Sequence, residues 1–230
     1  MRGINQNIYS NVLTKVYFAL TVILIAAEIW KNATLLYIFK PMLIPTLMAL
    51  YYFTSAVRNR IYLISLFFAL NSNIFFLSSA QRFLVYGMLA FMVYRILSIV
   101  VVLKLIRKLP LLPFAIACLP FFFIFSSLVN LTMSSLSTSF YPVILNGVLI
   151  SILAGISLSS YILDDSRSNS WLAISTLLAV VLVYLFVIHK YYFSNEVFQP
   201  LSALIFSVVH YAYFRFVLEA ENPNVDDAIV

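Results

Sequence analysis

Apolar runs of about twenty residues follow one another along nearly the whole chain, with the charges confined almost entirely to the gaps between them. A helix needs about that length to cross the ~30 Å hydrocarbon layer of a bilayer, so each run reads as one crossing. The runs fall at 13–30, 34–54, 61–78, 83–103, 111–130, 140–163, 171–191 and 198–217. Because 63% of the residues are hydrophobic and only 10% charged, no water-soluble core could hide this apolar surface, and lipid must be the solvent. The runs are continuous and lack the alternation of barrel strands. The expected fold is an all-α polytopic membrane bundle of about eight transmembrane helices. It forms a single transmembrane domain, 1–218, followed by a short acidic cytoplasmic tail, 219–230. The connections are too short to hold a separate soluble catalytic domain, so any chemistry lies among the helices.

The placement of Lys and Arg sets the expected orientation. The N-terminal tail, the even-numbered connections and the end of the last run carry Arg2, Lys15, Arg58, Arg60, Lys104, Arg107, Lys108, Arg167 and Arg215. The opposite side has only Lys31, Lys40, Arg82 and Lys190, which places both termini in the cytoplasm, in a bacterial cytoplasmic membrane. The first run is longer than a signal-peptide core and leads directly into a second, so it reads as a retained helix. The net charge of +6 is a topology signal and an attraction to anionic lipid, with no call on nucleic acid. Cys118 stands alone in an apolar run, which excludes an intrachain disulfide and a thiolate metal cluster. The two histidines are isolated from any metal-ligand spacing, so no metal or other cofactor is expected.

Small residues recur every four positions in the sixth run, at Gly147, Ser151, Gly155 and Ser159, a stripe that lets a second helix approach closely. That helix is expected to be central. Prolines at 41, 45, 113 and 120 predict bends or local unwinding in the second and fifth runs. Polar side chains inside the runs are costly unless they face the bundle interior, and they supply the candidate site residues. Asn73 lies in the third run, Arg95 in the fourth, Asn146 in the sixth, His189 and Lys190 near the end of the seventh, and His210, Tyr211 and Arg215 in the last. Arg95 has apolar neighbours far in both directions and must point inward, either to an anion or into a hydrogen-bond hub. Lys40 and Arg215 lie nearer the interfaces and can reach lipid headgroups.

Several segments, in order, resemble the lysoplasmalogenase or YhhN family. They are Lys40-Pro41 with Pro45, the run from Phe68 to Leu77, Phe83 followed by Gly87-Met88-Leu89-Ala90-Phe91 with Arg95, Tyr141-Pro142-Val143-Ile144-Leu145, Leu185-Phe186-Val187-Ile188, and His210-Tyr211 with Arg215. The resemblance implies about eight spans and a vinyl-ether hydrolase acting on lysoplasmalogens, releasing a fatty aldehyde and a glycerophospho-alcohol. Such chemistry requires protonation of the alkenyl carbon and then attack of water on an oxocarbenium ion, work suited to a buried carboxyl group.

The departures from the family pattern weaken that expectation. Its third-span Gly-Asp is Ser72-Asn73 here, its seventh-span Ser-Asp is His189-Lys190, and its fourth-span His is Arg95. The last-span Thr-Tyr and Gln become His210-Tyr211 and Arg215. All eight acidic residues stand at span ends, in connections or in the tail, leaving no buried carboxylate pair in this reading. An amide cannot deliver a proton, and loss of general acid catalysis typically costs ~10²- to 10⁴-fold in rate.

The sequence therefore points to an integral membrane protein with weak or lost ether hydrolysis and a retained lipid-binding cavity. Its catalytic candidates are Asn73, His189 and His210. Its substrate contacts are Lys40, Arg95, Asn146, Lys190, Tyr211 and Arg215, and its partners are membrane lipids such as a lysophospholipid. Two alternatives stand beside it: a non-catalytic accessory subunit bound to a membrane-protein partner, and an active divergent hydrolase in which a histidine supplies the proton. A small transporter ranks below both, since no inverted repeat surrounds the proline-broken runs.

Overall fold

The computed structural model describes residues 2–78, 80–106, 109–136 and 139–221, with side chains from residue 10 onward. Among these residues there are eight helices and no strand: α1 (Arg2–Ile29), α2 (Ala33–Thr54), α3 (Arg60–Phe75), α4 (Gln81–Leu105), α5 (Leu111–Leu136), α6 (Phe140–Leu163), α7 (Arg167–Tyr191) and α8 (Phe198–Ala220). Seven are long and apolar enough to cross a membrane; in α1 the crossing segment is Ser10–Ile29. The protein is an integral membrane protein with an all-helical core.

α3 is the exception to the expected eight full-length crossings. Its 16 residues reach roughly 24 Å, short of the hydrocarbon thickness. The helix stops at Phe76, after Asn71-Ser72-Asn73, residue types whose side chains compete for backbone partners. It still runs alongside α2, with Tyr62 against the Tyr51 ring at one end and Asn73 bonded to the Lys40 carbonyl at the other.

Apart from α4 and α5, helices adjacent in the chain pack against one another, and the neighbours form a ring in the order α1, α2, α3, α4, α6, α7, α8 and back to α1. α5 lies outside this ring against α6 and α7, while α8 also touches α2 and α4. Burial follows the arrangement: 67% of the α6 crossing window is buried, against 28% for α5 and 22% for α2. Large apolar side chains such as Leu111, Leu119 and Phe123 stand exposed on α5, as a lipid-facing helix requires.

The small-residue stripe of α6 receives α5. A Cβ at Gly147 would lie 1.8 Å from Phe125 Cζ, and one at Gly155 would lie 2.2 Å from Cys118 Sγ and 3.2 Å from Cys118 Cα. Close approach of this kind is the main source of helix affinity where lipid is as apolar as leucine. The expectation of unwinding at the prolines is not met. α2 continues through Pro41 and Pro45, and α5 continues through Pro120. Pro113 sits in the first turn of α5, where a missing N–H leaves no helical bond unmade.

Polar contacts tie the helix ends together. α1 closes with Lys31 at φ 52°, the Asn32 N–H returning to the Ala27 carbonyl at 2.9 Å, and the Asn32 side chain then caps α2. The Lys31 ammonium donates to Glu196, joining the α1–α2 and α7–α8 connections. At the opposite end Glu221 accepts from the Tyr51 hydroxyl at 2.6 Å and the Ser55 hydroxyl at 2.7 Å, while Glu219 pairs with Arg215 at 2.5 Å. Thus α8 runs past residue 218 and binds Glu219 and Glu221 into the bundle, although the sequence groups both with the acidic tail. Tail positions Asp226 and Asp227 lie outside the described residues.

Two predictions follow from this packing. Gly147→Ala should lower the detergent melting temperature, at a cost of ~1–3 kcal/mol from overpacking, and Phe125→Leu in the same chain should recover part of it. Additive losses in the double variant would refute a direct contact. For Lys31–Glu196, the hydrogen bond from the ammonium holds the Glu196 carboxyl below its usual range. A depressed carboxyl stabilises the fold above its ordinary titration range and stops doing so as pH falls through the depressed value. Wild type should therefore melt slightly above Glu196→Gln at pH 7, with the gap closing as pH falls below the ordinary carboxylate range.

Candidate functional site

The polar side chains inside the bundle fall into three groups at different depths. The first lies where α1, α3 and α7 end and α2 and α8 begin. Lys40, on the second turn of α2, places its Nζ 3.6 Å from Glu28 Oε1, and Glu28 is only 8% exposed. Asn73, on the last turn of α3, is buried and donates from Nδ2 to the Lys40 carbonyl at 3.3 Å. His189, on the last turn of α7, lies within electrostatic reach of Glu28. Its Nε2 is 3.5 Å from Gln199 Nε2, and its Nδ1 has no hydrogen-bond partner among the described residues. Lys190, one residue further, is exposed.

Two of the three catalytic candidates, Asn73 and His189, therefore share this end of the bundle with Lys40. The sequence reading missed Glu28. Its position at a span end is as expected, but its burial is not: Lys40 of α2 and His189 of α7 stand beside it. The available signal was an acid inside the 13–30 run, ahead of the interfacial Trp30. A buried carboxylate and a buried amide on the two helices that flank α2 can bind a polar headgroup or order water. The carboxylate is already committed to an ion pair with Lys40.

The second group is deeper. Arg95 is 2% exposed on α4, with Phe91 4.9 Å from its Cζ and the phenols of Tyr94 and Tyr213 as its ionisable neighbours. Its Nε and Nη2 have no hydrogen-bond partner among the described residues. His210, 1% exposed on α8, lies between Phe206, at 4.1 Å between centroids, and the Tyr94 ring, stacked at 5.5 Å. His210 Nδ1 is 2.9 Å from the Phe206 carbonyl, which accepts the proton and leaves Nε2 bare of any partner among the described residues. Tyr213 donates to the Ser98 carbonyl at 2.9 Å, fixing α8 against α4 beside this pair. A cation at the centre of a bilayer costs about 3 kcal/mol on insertion scales, so an inward Arg without an acid partner is an expensive feature.

The remaining candidates separate from both groups. Asn146 donates from Nδ2 to the Met88 and Pro142 carbonyls at 3.1 and 2.9 Å, which makes it a link between α6 and α4. Tyr211 packs against Tyr17 and Phe18 in the α1–α8 seam. Arg215 holds Glu219 and lies 5.2 Å from the Trp171 ring, near the opposite end of the bundle from Lys40. A shallow groove of about 270 Å³ opens beside the start of α4, lined by Gln81, Arg82, Val85 and Tyr86. No cluster of His, Cys, Asp or Glu among the described residues could hold a metal ion.

No curated protein and no solved structure matches the chain. A family model does: that of the YhhN family, over residues 35–214. The matched stretch begins just before Lys40 and ends just before Arg215, running from α2 into α8 and holding Asn73, His189, Arg95 and His210, while Glu28 precedes it. This integral membrane protein belongs to the YhhN family.

Proposed function

We propose that this protein binds lysophospholipids within its helical bundle and hydrolyses vinyl ethers weakly or not at all. One observation carries the reading. The position resembling the third-span acid of lysoplasmalogenases is Asn73, whose buried amide is spent on the Lys40 carbonyl. No proton donor stands there, and the nearby buried carboxylate, Glu28, faces Lys40. Lipid binding is supported by Lys40 and Arg95, inward cations at two depths along one bundle, suited to an anionic headgroup. Positive-inside asymmetry supports an orientation with both termini in the cytoplasm.

Glu28 gives the alternative of a divergent hydrolase its best support, since it is a buried carboxyl at the same end of the bundle as Asn73 and His189. The two readings separate in one assay. Purified protein in liposomes with lysoplasmenyl-ethanolamine should release aldehyde at the background rate. Asn73→Asp should raise that rate about tenfold or more, because general acid catalysis is worth ~10²- to 10⁴-fold in a complete site. Rapid release by the wild type, abolished in Glu28→Gln or His189→Gln, would replace this proposal with the hydrolase.

A further inference from the structure

α5 lies outside the helical ring, against α6 and α7, and the face it turns away from them is only half apolar. Cys118, Phe125, Leu128 and Thr132 are buried on its inner side, with Phe125 and Cys118 on the α6 glycines. At about 100° per residue the opposite face carries Ile116, Pro120, Phe123, Ser127, Asn130 and Ser134, and all six are exposed. Lipid suits the first three. The other three place two hydroxyls and a primary amide on the side where the surrounding solvent is hydrocarbon. The 26 residues of α5 reach about 39 Å against a ~30 Å layer, so a centred helix keeps Ser127 and Asn130 inside it and Ser134 at its edge. The Ser127 hydroxyl returns to the Phe123 carbonyl at 3.0 Å, which satisfies it within its own helix. Asn130 has no such outlet: its side-chain amide makes no hydrogen bond among the described residues. An unmet amide in hydrocarbon costs free energy, and acyl chains offer it nothing.

The spacing of the row says what geometry would meet it. The six positions follow one another at intervals of 4, 3, 4, 3 and 4 residues, the repeat of a left-handed seam between two helices crossing at about 20°. The chemistry of the row says which helix. An amide is donor and acceptor at once, so a second amide of the same kind completes it. No Lys, Arg, Asp or Glu stands in the row to repel an identical helix or to demand one of opposite charge. Copies inserted in one orientation are related by a two-fold axis along the membrane normal, which makes their α5 helices parallel and sets each Asn130 at the depth of the other.

We propose that a second copy of this chain covers the outward face of α5, in a parallel two-fold dimer whose Asn130 amides bond to each other between Ser127 and Ser134. The interface uses no residue of the Asn73 or Arg95 groups, so it stands or falls apart from the lipid reading.

The test is the oligomeric state of the full chain in liposomes, read by single-molecule photobleaching over a range of protein-to-lipid ratios. Wild type should pass from monomer to dimer as the ratio rises and go no further. Asn130→Leu should weaken dimerisation about tenfold or more, because both amide bonds of the pair are lost. Its melting temperature at monomeric dilution should stay that of wild type, since the amide bonds nothing in its own chain. Asn130→Gln keeps donor and acceptor and should still dimerise. Disulfide trapping in native membranes, on a Cys118→Ala background, locates the seam. Ser127→Cys and Ser134→Cys should cross-link two copies well ahead of Ile124→Cys, which is also exposed but lies about a quarter-turn off the row. A wild type that stays monomeric at every ratio, a folded Asn130→Leu that dimerises as tightly as wild type, or equal trapping at all three positions would overturn the proposal. Trapping of Ser127→Cys to a different protein alone would also overturn it and assign the face to that partner.

Discussion

Lipid tails are as apolar as the side chains that face them, so burying leucine between two helices gains little, and this bundle is held by other means. One is close backbone approach, concentrated where Gly147 and Gly155 admit Phe125 and Cys118. The other is a set of side chains that donate to carbonyls of a neighbouring helix. Tyr17 bonds Ser207 O, Ser72 bonds Gly87 O, Asn146 bonds Met88 O, Ser175 bonds Val209 O and Tyr213 bonds Ser98 O, all between 2.8 and 3.1 Å. Each such bond is worth only about 0.6 kcal/mol in measured cases. Their value is positional: each fixes the rotation of one helix against a specific level of the next, and so aims Arg95, His210 and Asn73 inward.

The ends of the bundle follow different rules because water reaches them. There the chain uses ion pairs, helix caps and aromatic rings, with Lys31 and Glu196 at one end and Arg215, Glu219 and Glu221 at the other. Glu221 is the more telling case. Its two oxygens are taken by Tyr51 and Ser55, and the same Tyr51 oxygen accepts the Asn59 N–H at 2.7 Å. The C-terminal turn of α8 thereby sets the α2–α3 connection, which in turn sets the depth at which short α3 presents Asn73.

This division explains what could be read from the amino acids alone. Helix number and the inward direction of Arg95 follow from hydropathy and from the cost of charge in lipid, terms large enough to dominate any packing detail, whereas the shortness of α3 did not show in hydropathy. The central role of α6 was legible for a similar reason, since few arrangements satisfy a four-residue repeat of small side chains. Two features escaped because they depend on neighbours distant in the chain. Glu28 looks interfacial by position, and its burial beside Lys40 of α2 and His189 of α7 depends on helices distant in the chain. Tyr211 and Lys190 sit one residue from His210 and His189 and share their local polarity. A rotation of about 100° per residue turns Tyr211 into the α1–α8 seam and leaves Lys190 exposed.

The substitutions at the family positions point in a consistent chemical direction. Asn73 is nearly isosteric with aspartate, so helix packing around α3 need not change when the carboxyl is lost, and its amide gains a bond to the Lys40 backbone that a carboxylate could not make. Arg95, by contrast, brings a larger and permanently charged group where the resemblance implies histidine, and its paired donors have no acceptor among the described residues. A change made only to abandon catalysis would favour a small apolar residue at such a depth, since each unpaired donor costs free energy. Keeping a cation there makes sense if something negative is regularly present to meet it. On the proposed reading, Asn73 withholds a proton donor at one level of the bundle while Arg95 offers a cation at another, a change of task more than a loss of one.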